Sequence, residues 1–254
     1  MPLNTDQLIF HFDSIDKNQL LKAKKTLEQF NVVALRGLIS ESEVGKSLEL
    51  LKQNFKKERD NPTIGENPKD IQDNFQKLLV GTHNHSGLRL SRLFRTFYNP
   101  MWSEDCYELH QTFLKMIKVR NFFCDLPEEF ATKSIEKNGL WSATRIHQYP
   151  IGGGYFEGHQ DTVLTNVSRE ENTRFYQVIL NMTQVGQDFE RGGAYVKVDD
   201  QMIIFENCFS VGDIIVYNES TFHGVEEIDP HRNLDLETFN GRVTAFVSLY
   251  KNLV

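Results

Sequence analysis

Arg145-Ile-His147-Gln-Tyr149-Pro150-Ile-Gly152-Gly153-Gly154-Tyr-Phe-Glu-Gly-His159-Gln160-Asp161 is the stretch on which the reading of the fold turns. Alternating residues up to Tyr149 predict a strand, and Pro150 with the three glycines predicts a tight bend. The chain leaves that bend carrying two metal-capable side chains, His159 and Asp161.

Downstream of this bend the sequence continues as short β-type runs at 142–150, 175–182, 194–198, 202–206, 213–218 and 242–250, most of them separated by Gly, Asn or Asp. Such spacing predicts a double-sheet jelly roll or cupin-like barrel. Residues 1–140 read instead as a mainly helical support and substrate-lid region. A short strand is expected at 8–12, a helix capped by Asp16 or Asn18 runs to Phe30, and 31–35 forms a buried strand. Ser40 begins a second helix to Phe55, a long polar loop at 56–86 holds one helix at 70–79, and Ser103 caps a helix to Phe123. The fold class is α+β, mostly β with helical support: a single domain over 1–254, with the jelly-roll core in 141–254.

Composition narrows the partners. With 28 Lys and Arg against 35 Asp and Glu, the net charge of -7 repels phosphate backbones, so nucleic acid is not the expected ligand. No apolar run reaches the about 18 residues of a membrane span, and no basic segment followed by an apolar one marks a secretory signal, so the expected location is the cytoplasm. Cys106, Cys124 and Cys208 are odd in number and scattered, which suits reduced thiols rather than disulfides or a zinc cluster. A small-molecule substrate is expected.

His-x-Asp alone is a weak signal: eight histidines give about half a match by chance. A second match, His11-Phe-Asp13, has no glycine turn before it and no partner strand. A third metal ligand is expected from another rigid strand end, and His223 fits this better than His231, which sits in a polar Asp-Pro-His-Arg loop. Two imidazoles and one carboxylate on one face leave three positions open, the arrangement of non-haem Fe(II) oxygenases. The helical His-Glu-x-x-His setting common in zinc hydrolases is missing. In Gly241-Arg-Val-Thr-Ala-Phe-Val-Ser-Leu-Tyr250, period two places Arg242, Thr244, Phe246, Ser248 and Tyr250 on one face. A guanidinium inside a core strand needs an anion, and a carboxylate matches it best.

Across residues 142–250 the chain resembles the Fe(II)/2-oxoglutarate-dependent dioxygenases with a double-stranded β-helix core, on the prolyl-hydroxylase-like or small-molecule hydroxylase branches. The resemblance rests on Tyr149-Pro150, His159-Gln-Asp161, Val178-Ile-Leu-Asn181, Arg191-Gly-Gly-Ala194, Gly212-Asp213, His223-Gly-Val225 and Arg242-Val-Thr244, in that order. It implies Fe(II) on His159, Asp161 and His223, with the distal carboxylate of the cosubstrate 2-oxoglutarate on Arg242 assisted by Thr244. Tyr149 falls near the cosubstrate in the family pattern. Ile179 stands where some members place a tyrosine, and Gln177 or Asn181 takes over that contact.

The implied reaction consumes O2 and 2-oxoglutarate, releases succinate and CO2, and hydroxylates a C–H bond of a small molecule such as a free amino acid. A carboxylate at Asp161, where halogenating members carry Gly or Ala, favours hydroxylation. Two alternatives remain open: a protein or peptidyl hydroxylase with the same chemistry, and a non-catalytic jelly-roll binding module. The interval from His223 to Arg242 is longer than usual in the family because of a loop at 229–240, which shapes the substrate mouth or is a surface excursion. His83 and His85 are candidates to close over a substrate, Arg145 and His147 to line the pocket. Arg89, Arg92 and Arg95, at near-helical spacing, read as a solvated face.

Overall fold

The computed structural model describes residues 4–62, 73–83 and 89–251. Strand β1 (Ile9–His11) runs parallel to β2 (Val32–Arg36), and helix α1 (Lys17–Phe30) makes the crossover that a parallel pair requires. The Asp16 carboxylate caps α1 by accepting from the Gln19 N–H at 2.8 Å, and Asn31 ends it in the left-handed region. Helix α2 (Glu41–Asn54) starts on a reciprocal capping box between Ser40 and Glu43. Next come β3 (Phe75–Leu79), β4 (Thr82–His83), β5 (Arg89–Arg92), β6 (Phe94–Tyr98) and α3 (His110–Phe123).

The second half supplies β7 (Leu140–Tyr149), β8 (Gly154–His159), α4 (Thr162–Glu171), β9 (Tyr176–Asn181), β10 (Ala194–Val198) and β11 (Gln201–Ile204). A single helical turn, α5 (Phe205–Cys208), precedes β12 (Ile214–Asn218), β13 (His223–Ile228) and β14 (Arg242–Lys251). One sheet has the order β1-β2-β12-β9-β14-β7-β6-β3 and the other β11-β10-β13-β8-β5-β4, giving the mostly β, jelly-roll α+β fold that the strand spacing predicts.

The larger sheet is buried on both faces. Val33, Leu35, Val178, Leu180, Ile214, Val216, Val243, Ala245, Val247 and Leu249 pack in one core with Leu20 and Leu27 of α1, Val44 and Leu48 of α2 and Phe113, Met116 and Ile117 of α3. Their neighbours Val32, Ala34, Ile179, Ile215 and Tyr217 join a second core with Val196, Ile203, Val225 and Ile228 of the smaller sheet. Period-two alternation divides each strand between the helical layer and the space between the sheets.

Several expectations for residues 1–140 are corrected. Besides helices α1 to α3, that region holds β1 to β6, which extend both sheets. The segment expected as a helix at 70–79 contributes β3, which pairs antiparallel with β6; residues 63–72 lie outside the described residues. Cross-strand pairing overrides the local preference of Phe-Gln-Lys-Leu-Leu. The arginines read as a helical face sit on strands: Arg89 and Arg92 in β5, and Arg95 in β6. Arg95 is fully buried, bonded to both carboxylate oxygens of Asp60 and to the carbonyl of Leu236 at 2.7 Å.

Helix α3 begins at His110 rather than near Ser103, since the Asp105 carboxylate accepts from the N–H groups of Leu109 and His110. Strand β11 stops at Ile204, which puts Glu206 on α5 instead of at a strand end. Helix α4 goes unanticipated by the pattern of β runs, although Leu164, Val167 and Ser168 form its buried face. The His11 segment does find a partner strand, β2, but His11 sits exposed on edge strand β1; no helix among the described residues is long and apolar enough to cross a membrane.

The loop at 229–240 is tied down rather than loose. Buried Asp229 accepts from the N–H groups of Glu190 and Arg191, and Asn240 accepts from Ile151 N–H at 3.0 Å. It ends at Gly241, whose φ of +81° and close approach to the Tyr149 carbonyl seat the first residue of β14, Arg242. A Cβ there would lie 2.2 Å from that oxygen. Gly241→Ala is therefore expected to lower unfolding free energy by at least about 2 kcal/mol in urea denaturation; an unchanged midpoint would show the turn to be unimportant.

Candidate active site

His159 ends β8 and His223 begins β13, and the antiparallel register sets them directly opposite each other. Their ring centroids are 4.4 Å apart. Each ring donates from Nδ1 to the backbone carbonyl two residues earlier, His159 to Glu157 at 2.8 Å and His223 to Thr221 at 2.9 Å. This fixes the tautomer and leaves both Nε2 lone pairs for a ligand. Burial, reinforced by His159, lowers the His223 pKa to about 4, so its imidazole is neutral near pH 7.

Asp161 caps α4 and lines the same cavity as the two histidines. Its Oδ1 accepts from the Leu164 N–H at 3.0 Å and its Oδ2 from Gln177 Nε2 at 2.6 Å. Among the described residues no three His, Cys, Asp or Glu side chains are gathered into a finished metal cage. The donor chemistry nevertheless fits a divalent iron: two imidazoles whose Nδ1 atoms are engaged and whose Nε2 atoms are left for a ligand, and a carboxylate whose two hydrogen bonds leave acceptor capacity unused.

Gln177 is itself held at its other end. Arg145 Nη1 donates to Ser248 Oγ at 3.1 Å, Ser248 Oγ donates to Gln177 Oε1 at 2.5 Å, and Gln177 Nε2 donates to Asp161. This relay across β7, β14 and β9 sets the orientation of the carboxylate and commits one Gln177 N–H and its Oε1 to protein partners. Asn181 donates to the Ser210 carbonyl at 3.3 Å and does not line the cavity.

The cavity encloses about 70 Å³, ample against the roughly 10–15 Å³ that one water needs, and suited to a small organic acid. Arg145, His147, Tyr149, Tyr217 and Arg242 line it together with the histidines and Asp161. His147 Nε2 accepts from Arg145 Nε at 2.9 Å, and burial, then Arg145 and Arg242, push its pKa well below 6.5. Tyr149 stacks on Phe94 with centroids 5.0 Å apart, and burial raises its phenol pKa.

Arg242 is 1 % exposed and Thr244 likewise, so both occupy the interior. Arg242 Nε donates to Glu206 Oε1 at 2.5 Å, a protein carboxylate unforeseen in the sequence reading. Arg242 Nη2 and Thr244 Oγ1 are buried without a hydrogen-bond partner. His231 pairs with Glu190 at 3.1 Å, outside the cavity, and the loop at 229–240 contributes no lining residue. His83 lies in β4, and His85 falls outside the described residues.

The fold is similar to that of several solved oxygenases. A prolyl-4-hydroxylase from Pseudomonas putida superposes with a TM-score of 0.55 at 12% identity, over 92% of this chain and 99% of its own. An α-ketoglutarate-dependent epimerase of nogalamycin biosynthesis gives 0.54 at 10% identity, over 94% and 87%. A 2OG-Fe(II) oxygenase family protein from Burkholderia pseudomallei gives 0.50 at 12% identity, over 96% and 95%. By sequence the chain matches no family model and no curated protein. The likeness is therefore one of fold.

Two residues escape sequence reasoning for different reasons, Tyr217 in the cavity lining and Glu206 behind Arg242. Tyr217 was within reach, because alternation in β12 puts it on the face of Ile215, and its ring lies 4.9 Å from His223. Glu206 was not, since nothing in one dimension links position 206 to 242.

The depressed histidines carry a stability signature. Because His147 and His223 resist protonation only when folded, the unfolded chain binds more protons below about pH 6.5, and stability falls as pH drops from there towards 4. Urea denaturation at pH 7.5 and 5.5 should show the lower free energy at 5.5, and His147→Phe should reduce that difference. Equal stability at the two pH values would contradict the assigned protonation states.

Proposed function

We propose that the chain is an Fe(II)/2-oxoglutarate-dependent dioxygenase that hydroxylates a C–H bond of a small molecule, a free amino acid being the expected class. The observation that carries this reading is the facing pair His159 and His223, with Nε2 of each left free and Asp161 in the same cavity. His159, His223 and Asp161 would hold the iron. Arg242 Nη2 and Thr244 Oγ1, buried donors without partners, would take the distal carboxylate of 2-oxoglutarate.

When bound, the iron supplies the coupling between reduction of O2, oxidative decarboxylation of 2-oxoglutarate to succinate and CO2, and hydroxylation of the substrate. The chain's own residues orient and shield. Nδ1 bonds to Glu157 and Thr221 keep the two imidazoles aimed, and the Arg145–Ser248–Gln177 relay aims the carboxylate. Phe156, Ile179, Phe205 and Phe246 complete an apolar wall that excludes water from the reacting centre.

Anaerobic titration with Fe(II) and 2-oxoglutarate, then exposure to O2 with amino acids or peptides, should give succinate, released faster with an amino acid. His159→Ala and His223→Ala should each cut succinate release by more than about 100-fold, beyond the range for outer-shell changes. An active enzyme after either substitution would sink the assignment, and acceleration by peptides alone would move the substrate to the peptidyl class. Gln177→Leu should weaken metal binding by about 10–100-fold without abolishing it. Calorimetry with Mn(II) checks this, and unchanged affinity would remove Gln177 from the site.

A further inference from the structure

The arginine assigned to the cosubstrate already has a counter-ion. Arg242 and Glu206 have side chains 2 % exposed each, with Nε and Oε1 2.5 Å apart. Gly193 sits hard against this carboxylate, for a Cβ there would lie 2.2 Å from Glu206 Oε2. The pairing uses half of each group, because Arg242 Nη2 and Glu206 Oε2 are both buried without partners. A guanidinium has donors enough to accept a second carboxylate beside the first. Such a ligand would feel the attraction of Arg242 and the repulsion of the carboxylate already seated on it, and the two oppose each other among buried groups.

We propose that Glu206 is a specificity residue for the cosubstrate: seated on Arg242, it cancels most of what a distal carboxylate gains there, so the site accepts 2-oxo acids with or without a second carboxyl group. This rests on the function proposed above and adds the breadth of its cosubstrate class. Glu206 touches Arg242 rather than the keto acid end, so its effect is confined to the distal group.

The test is anaerobic calorimetry on the full chain loaded with Mn(II), using 2-oxoglutarate and 2-oxopentanoate, which carries methyl in place of the distal carboxylate. In the wild type the two dissociation constants should lie within about 10-fold, a difference of at most about 1.4 kcal/mol. In Glu206→Gln, 2-oxoglutarate should bind at least about 10-fold tighter while 2-oxopentanoate stays unchanged. A wild-type preference for 2-oxoglutarate above about 100-fold overturns the proposal and leaves Arg242 as an effective clamp. Equal or weaker 2-oxoglutarate binding by a folded Glu206→Gln protein overturns it as well. Should that variant not fold, the wild-type ratio decides alone. If Mn(II) binds but neither acid does, the cavity is not a 2-oxo acid site, and the proposal falls together with the function beneath it.

Discussion

Val243, Ala245, Val247 and Leu249 pack against the helical layer, and that packing obliges Arg242, Thr244, Phe246 and Ser248 to face the other sheet. The two-residue period of β14 is the constraint on which the rest depends, since a slip of one residue would bury the guanidinium among aliphatic side chains. Strands β9 and β12 obey the same rule, so Gln177 and Tyr217 reach the cavity while Val178 and Val216 hold the helices. Large apolar area on one face sustains polar groups on the other. Each polar group is expensive alone, and the relay from Arg145 to Asp161 shows how three strands share that cost through hydrogen bonds.

The register between β8 and β13 plays a comparable part at the mouth. His159 and His223 are 64 positions apart in the chain yet directly opposed in the smaller sheet. Gly158 and Gly224 beside them leave room for Tyr195 of β10, for a Cβ at either would lie 2.6 Å from its hydroxyl. The imidazoles are thus placed by backbone pairing and tautomer-fixing carbonyls, whereas the carboxylate is placed by side chains. Such a division makes Asp161 the adjustable member of the set.

Legibility in the sequence followed the range of the interaction. β-type runs between turn residues made β7, β9, β12 and β14 readable, and the jelly roll with them; Ser40-x-x-Glu43 made α2 readable from a cap four residues long. Motif and face together brought His159, His223, Asp161 and Arg242 to one cavity on paper, and these residues do line one cavity. What remained hidden depends on partners distant in sequence. Strand β3 exists because β6 is beside it, Arg95 is buried because Asp60 and Leu236 reach it, and Arg242 is neutralised by a residue on a helical turn that no pattern announces. Helix α4 is a different case: Asp161 is its N-cap and a lining residue of the cavity at once, so a single carboxylate carries both a helix-start signal and a ligand signal.

The most direct measurement is a crystal structure of the Mn(II)-loaded chain with metal located by anomalous scattering. The site described here predicts one peak bonded to Nε2 of His159, Nε2 of His223 and a carboxylate oxygen of Asp161, with the Nδ1 bonds to Glu157 and Thr221 intact. A peak elsewhere, or a metal that engages the histidines with Asp161 still turned wholly to Leu164 and Gln177, would contradict it.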